Sequence, residues 1–173
     1  MLQDFDNEEF PLAYLITFRC YGTWLHGDSR GSMDRRGHNI YGTPRIAPNQ
    51  KLERSDTARL KGLSVNFDSA QRSGIEEAIR EVCEYRGFCL EAVNVRTNHV
   101  HVVVAAGCRP EGVMNAFKSY ATRKLRELGL LSPDAKPWAR HGSTRYLCKP
   151  HHVEEAIDYV LYGQGDEPPS FDD

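Results

Sequence analysis

The run NHVHVVV at positions 98–104 sets His99 and His101 two residues apart in a valine-rich stretch. Such a stretch favours extended backbone, in which side chains alternate between two faces. Both imidazoles then point one way, while Val100, Val102 and Val104 point the other way and can pack on helices. Two imidazoles at that spacing can share one divalent metal ion. The pattern is short, and taken alone it is more often two ordinary polar-face histidines. Nineteen residues after His101, Tyr120 lies in FKSYATRKL among Lys118, Arg123, Lys124 and Arg126. Alone it reads as a half-buried structural tyrosine beside Val113 and Ala116. Together the parts suit phosphodiester transesterification. A metal polarises a phosphate oxygen, and a phenolate attacks phosphorus to form a covalent intermediate. Nearby cations favour deprotonation of a phenol whose ordinary pKa is about 10.

A second group is the basic, aromatic stretch with Lys136, Trp138, Arg140, His141, Arg145, Tyr146 and Lys149. Aromatic faces stack bases and guanidinium groups hold phosphates. Equally, Trp138 and Tyr146 can fill a core while the charges face water. Arg30, Arg35, Arg36, His38 and Arg45 could add backbone contacts. The five cysteines, Cys20, Cys83, Cys89, Cys108 and Cys148, form no CxxC pair. They read as reduced, buried small hydrophobes. Cys148, His151 and His152 approach a zinc pattern but lack a second half.

These residues must be positioned by regular elements. AYLITFRC (13–20) reads as a strand. A long excursion rich in Gly and Pro runs from Tyr21 to about Phe67, with a short helix expected near Ser55–Leu63. Ile75, Ile79 and Val82 mark a helix over 69–86, with Gly87 as its cap. CLEAVNVR (89–96) and HVHVVVAA (99–106) read as a hairpin joined at Thr97-Asn98. Pro110 opens the next helix and Gly129 follows it; Met114, Phe117, Ala121, Leu125 and Leu128 form its apolar stripe. A short strand is expected near Thr144–Cys148, then a helix over Val153–Tyr162. The order predicts an α+β, ferredoxin-like (split βαβ) sandwich with an antiparallel sheet. It adds a long insertion after the first strand and an extra C-terminal helix.

The chain has 173 residues, 22 of them Lys or Arg and 24 Asp or Glu, for a net charge of −2. That length suits one domain over 1–173, with a core over about 13–165 and an acidic tail at 166–173. It is too short for a (β/α)₈ barrel. No apolar run reaches the ~20 residues of a membrane-crossing helix. The first ten residues hold four acids and no base, unlike a targeting segment, so a cytoplasmic location is expected. All 22 bases lie within 11–150, a stretch with a net charge of +9. A polyanion partner is therefore compatible with the near-neutral total.

With these residues in view, the chain resembles the single-tyrosine HUH transposases, which include small insertion-sequence transposases and REP-associated tyrosine transposases. The resemblance rests on His99-Val100-His101 after Asn98, on Tyr120 in the following helix, and on the order of elements. It is supported by YGTWLHGD (21–28), VRTNHVHVVV and WARHGSTRYL (138–147), and covers most of 13–165. It implies a metal-dependent enzyme of DNA transposition and recombination, nicking single-stranded DNA beside a hairpin or REP-like element. His99 and His101 would hold Mg²⁺ or Mn²⁺, and Tyr120 would form a 5′-phosphotyrosine, releasing a 3′-OH. Lys118, Arg123, Lys124, Trp138, Arg140, His141 and Arg145 would contact the DNA. Family members act as monomers or homodimers, some pairing His of one chain with Tyr of the other. Lys124 stands where better-known members carry a Gln or Asn ligand. An ammonium cannot ligate a cation, so either another side chain or water supplies the third ligand, or metal binding is weak, or Lys124 contacts the scissile phosphate directly, or the chain is a non-catalytic, domesticated hairpin-binding protein. A two-histidine phosphoesterase is disfavoured, since no His-x-Ser/Thr motif is repeated.

Overall fold

The computed structural model describes residues 11–22 and 65–163. The expected short helix at 55–63, the arginines of the excursion and the acidic tail lie outside them. The described elements are β1 (Ala13–Cys20), α1 (Ser69–Arg86), β2 (Cys89–Val95), β3 (His99–Ala105), α2 (Pro110–Glu127), β4 (Trp138–Leu147) and α3 (Pro150–Tyr162). The strands form one sheet in the order β2-β3-β1-β4, with every neighbouring pair antiparallel. β3 separates β1 from β2, and β1 separates β3 from β4. This is the split βαβ arrangement, made twice, as the order of elements predicts.

Local chemistry explains the boundaries. Asp68 caps α1 by accepting from Gln71 N at 2.8 Å, while Gln71 Oε1 accepts from Asp68 N at 2.9 Å. Gln71 also donates to Leu130 O at 2.9 Å, tying the start of α1 to the segment after α2. Gly87 ends α1 at φ 68°, a backbone conformation that suits glycine. Pro110 opens α2 at a position where its missing N–H has no intrahelical partner.

Each face of the sheet has its own core. On one side Ile16, Phe18, Val100, Val102 and Val104 pack with Ile75, Ile79 and Val82 of α1 and with Val113, Phe117, Ala121 and Leu125 of α2. Phe18 sits between Phe117 and Trp138, with ring centroids 6.5 and 4.9 Å away. Leu128, expected in the α2 stripe, follows the helix and is 50% exposed. On the other side Ala13, Leu15, Ala92, Val103 and Leu147 pack beneath Ala156 and Val160 of α3. This smaller core covers only part of the face.

β4 is longer than expected. The sequence suggests Thr144–Cys148, but the strand begins at Trp138 and pairs along β1 from Leu147 to Trp138, with a register shift between Phe18 and Cys20. WARHGSTR lacks apolar alternation, so backbone pairing to the buried β1 makes the strand, not its own pattern. Gly142 is required there: a Cβ would lie 2.5 Å from Thr17 O and from Met114 Sδ. The cysteine expectation also needs correction. All five are free thiols, but only Cys20 and Cys83 are buried; Cys89, Cys108 and Cys148 are exposed. Burial pushes the Cys20 thiol up to about 12 and the Cys83 thiol up to about 11.

Candidate active site

The histidine pair lies where the smaller core ends. Thr17 is opposite His101 and Arg19 opposite His99 across β1 and β3. Ser143 of β4 is opposite Thr17, Arg145 is opposite Leu15, and Asn94 of β2 is opposite His101. Residues directly opposite in a sheet share a face. One side of the sheet is thus apolar at Ala13, Leu15 and Val103, then polar at Arg145, Ser143, Thr17, His101, Arg19 and His99. The two imidazoles meet edge to face, 4.6 Å between centroids, as strand alternation predicts.

Nδ1 of His99 lies 2.6 Å from Asn98 Oδ1, and Nδ1 of His101 lies 2.8 Å from Thr17 Oγ1. The contact with Asn98 makes Nε2 the nitrogen His99 would offer a metal, and His101 would do the same where Thr17 accepts from its Nδ1. On that count the pair fits a divalent ion. Among the described residues no third His, Cys, Asp or Glu completes a cluster, so further ligands would have to be other donors, water or a phosphate oxygen.

α3 brings a tyrosine to this face. Ala156 and Val160, four residues apart, dock the helix on the small core, and Asn94 Nδ2 donates to Val160 O at 2.8 Å. Tyr159, next to Val160, reaches the histidines with its ring centroid 5.3 Å from that of His101. It is half-buried.

Tyr120 is not brought to the histidines. It packs against the larger core on the opposite side of the sheet, with the Arg123 guanidinium 4.5 Å above its ring. The physical reason is strand alternation itself. α2 packs on Val100, Val102 and Val104, and a residue on that helix lies across the sheet from His99 and His101. Lys124 is equally remote. It joins α2 to α1 through Glu81 at 2.7 Å and Glu77 at 3.0 Å, and the hydrogen bonds to these carboxylates raise its pKa. It neither replaces a metal ligand nor stands at the histidine site.

The other expected DNA contacts do not form one surface. Lys118 is only 8% exposed and donates to Ala139 O at 2.9 Å and His141 O at 3.2 Å, holding α2 to the start of β4. Burial, and secondarily the Arg19 charge, lowers its pKa to about 8. Trp138 belongs to the core: its ring meets Phe18 and Phe67, and its N–H donates to Lys118 O and Thr122 Oγ1. Arg123 is exposed, 3.8 Å from Glu127. Arg140 and His141 are exposed on β4. Of the seven, Arg145 and, two residues before Ser143, His141 fall on the histidine face by strand alternation. Sequence reasoning missed Tyr159, Thr17 and Arg19. The signal for Tyr159 was its place beside the Ala156/Val160 docking pair on an unassigned helix.

Residues 64–142 match the family model described as IS200-like transposase. Among solved structures, a REP-associated tyrosine transposase bound to a REP hairpin aligns with a TM-score of 0.47 and 14% identity, over 87% of this chain. The chain spans 65% of that protein's length. No curated protein matches. Over residues 64–142, which hold α1, β2, β3, α2 and the start of β4, the chain is thus similar to the IS200-like transposases, in keeping with the single-tyrosine HUH family that its motifs resemble.

Proposed function

We propose that the protein nicks and rejoins single-stranded DNA beside a hairpin, with Tyr159 as the nucleophile in place of Tyr120. The observation that carries this reading is the Tyr159 ring, 5.3 Å from His101 on the polar part of the sheet face. The Tyr159 oxygen attacks phosphorus and loses its proton. The bond from phosphorus to the 3′ oxygen breaks, and that oxygen gains a proton to leave as a 3′-OH. A 5′-phosphotyrosine is left on α3, and attack by a 3′-OH reverses the step and restores a phosphodiester. His99 and His101 would hold Mg²⁺ or Mn²⁺, which when bound polarises a phosphate oxygen. Arg19 and Arg145, on the same face, favour a phosphate there.

The test uses labelled single-stranded DNA from the regions flanking the gene, including any hairpin-forming inverted repeat they hold, with Mn²⁺ or Mg²⁺. Wild type and Tyr120→Phe should both cleave and form a covalent adduct stable to denaturing electrophoresis. Tyr159→Phe should form neither product. Cleavage that persists in Tyr159→Phe defeats the assignment. Tight hairpin binding by wild type with no cleavage in either metal favours the non-catalytic binder.

A further inference from the structure

The two histidines are held from behind by different oxygens. Asn98 Oδ1 can only accept, so Nδ1 of His99 carries the hydrogen. The hydroxyl of Thr17 can donate or accept, and its contact with Nδ1 of His101 at 2.8 Å is open to both senses. We infer that Thr17 is a positioning residue that accepts the Nδ1–H of His101, setting both imidazoles in one tautomer with Nε2 toward a shared cation. The inference rests on the metal-binding reading of the pair and names the residue that prepares it.

The alternative sense is incompatible with sharing. If Thr17 donated, neutral His101 would carry its hydrogen on Nε2 while His99 offered a lone pair at Nε2. Rings 4.6 Å apart in opposite tautomers cannot both ligate one ion through Nε2. The sheet gives Thr17 a fixed place for this task. It stands opposite His101 on one side and Ser143 on the other, in a strand paired along both edges. Its branched β-carbon restricts χ1, so the hydroxyl is directed by the strand and not by a mobile loop. On this face of β1 the sequence is Ala13, Leu15, Thr17, Arg19, and Thr17 is where the apolar pattern gives way.

The test is a long-range ¹H–¹⁵N correlation of the imidazoles in the metal-free full chain, at a pH of about 8 where a histidine of ordinary pKa is neutral. It is paired with Mn²⁺ titration followed by electron paramagnetic resonance. Wild type should show His101 protonated at Nδ1. Thr17→Val, which keeps the shape and removes the hydroxyl, should give mixed tautomers and bind Mn²⁺ about 10-fold more weakly or worse. Thr17→Ser should restore both readings. A wild-type His101 protonated at Nε2 overturns the inference, as does a Thr17→Val protein with the wild-type tautomer. A wild-type tautomer as inferred, with Mn²⁺ binding unaffected by His99→Ala and His101→Ala, defeats the metal reading while leaving the orienting role of Thr17 intact.

Discussion

Lys118 shows how strongly the surroundings decide what a residue does. Its place two residues before Tyr120, with Arg123, Lys124 and Arg126 close after, suggests a phosphate contact, yet its ammonium is buried against two carbonyls of β4. Burial disfavours the charge and sets the folded pKa at about 8, below the unfolded value of 10.5. The sign follows. Between those values the unfolded chain binds more protons, so this group adds stability as pH rises through about 8 and levels off past the unfolded value. Wild type should therefore gain on the order of 1 kcal/mol relative to Lys118→Met between pH 7 and 9. Urea denaturation of both proteins at the two pH values measures it. Deprotonation of Cys20 and Cys83, whose raised pKa values destabilise the fold above pH 9, is common to both proteins and cancels in the difference. An unchanged difference would place the titration of Lys118 elsewhere.

At the scale of elements, what could be read from the sequence was local, and what could not was relational. The period of Ile75, Ile79 and Val82 and the cap at Gly87 define α1 without reference to the rest of the chain. Alternation in β3 likewise put both histidines on one face, away from the valines. That same alternation placed them opposite any helix packed on Val102 and Val104, but which helix covers which face is a property of topology. Tyr120 is therefore close in sequence to the histidines and on the other side of the sheet from them. Only the end of β4 could be read from the sequence, because pairing with β1 makes its first half a strand. The division between faces yields a prediction for α3. Val160→Ala removes two methyl groups from the small core beside Tyr159, a loss of roughly 2 kcal/mol. It should raise hydrogen exchange along α3 and slow DNA cleavage. Leu125→Ala, in the larger core, should cost roughly 2–5 kcal/mol of global stability, yet leave the cleavage rate of the folded protein near wild type. Equal effects of both variants on the rate would show that α3 docking has no special link to the site.

For the whole molecule, the question is whether histidine and tyrosine act within one chain. The family resemblance allows both arrangements, a monomer or a homodimer in which a helix is exchanged. α3 here packs on its own chain: Ala156 and Val160 cover Ala13, Leu15, Val103 and Leu147, and the carbonyl of Val160 is held by Asn94 of β2. Exchange would require that core to be opened and rebuilt on a partner, with the hydrogen bond broken and remade. The connection from Leu147 to Pro150 is also only two residues long, so α3 is delivered directly onto the face next to its own β4. These restraints favour an active site assembled in cis. Mixing His99→Ala/His101→Ala protein with Tyr159→Phe protein should then give no cleavage of hairpin DNA, because neither chain holds a complete site. If helices were exchanged, a mixed dimer would contain one site with both histidines and the tyrosine, and activity would return. The control is a chain carrying only Tyr120→Phe, which should cleave alone and confirm that the DNA and metal are competent. Recovery of activity in the mixture, together with a dimer in sedimentation, would overturn the cis assignment while keeping Tyr159 as the nucleophile.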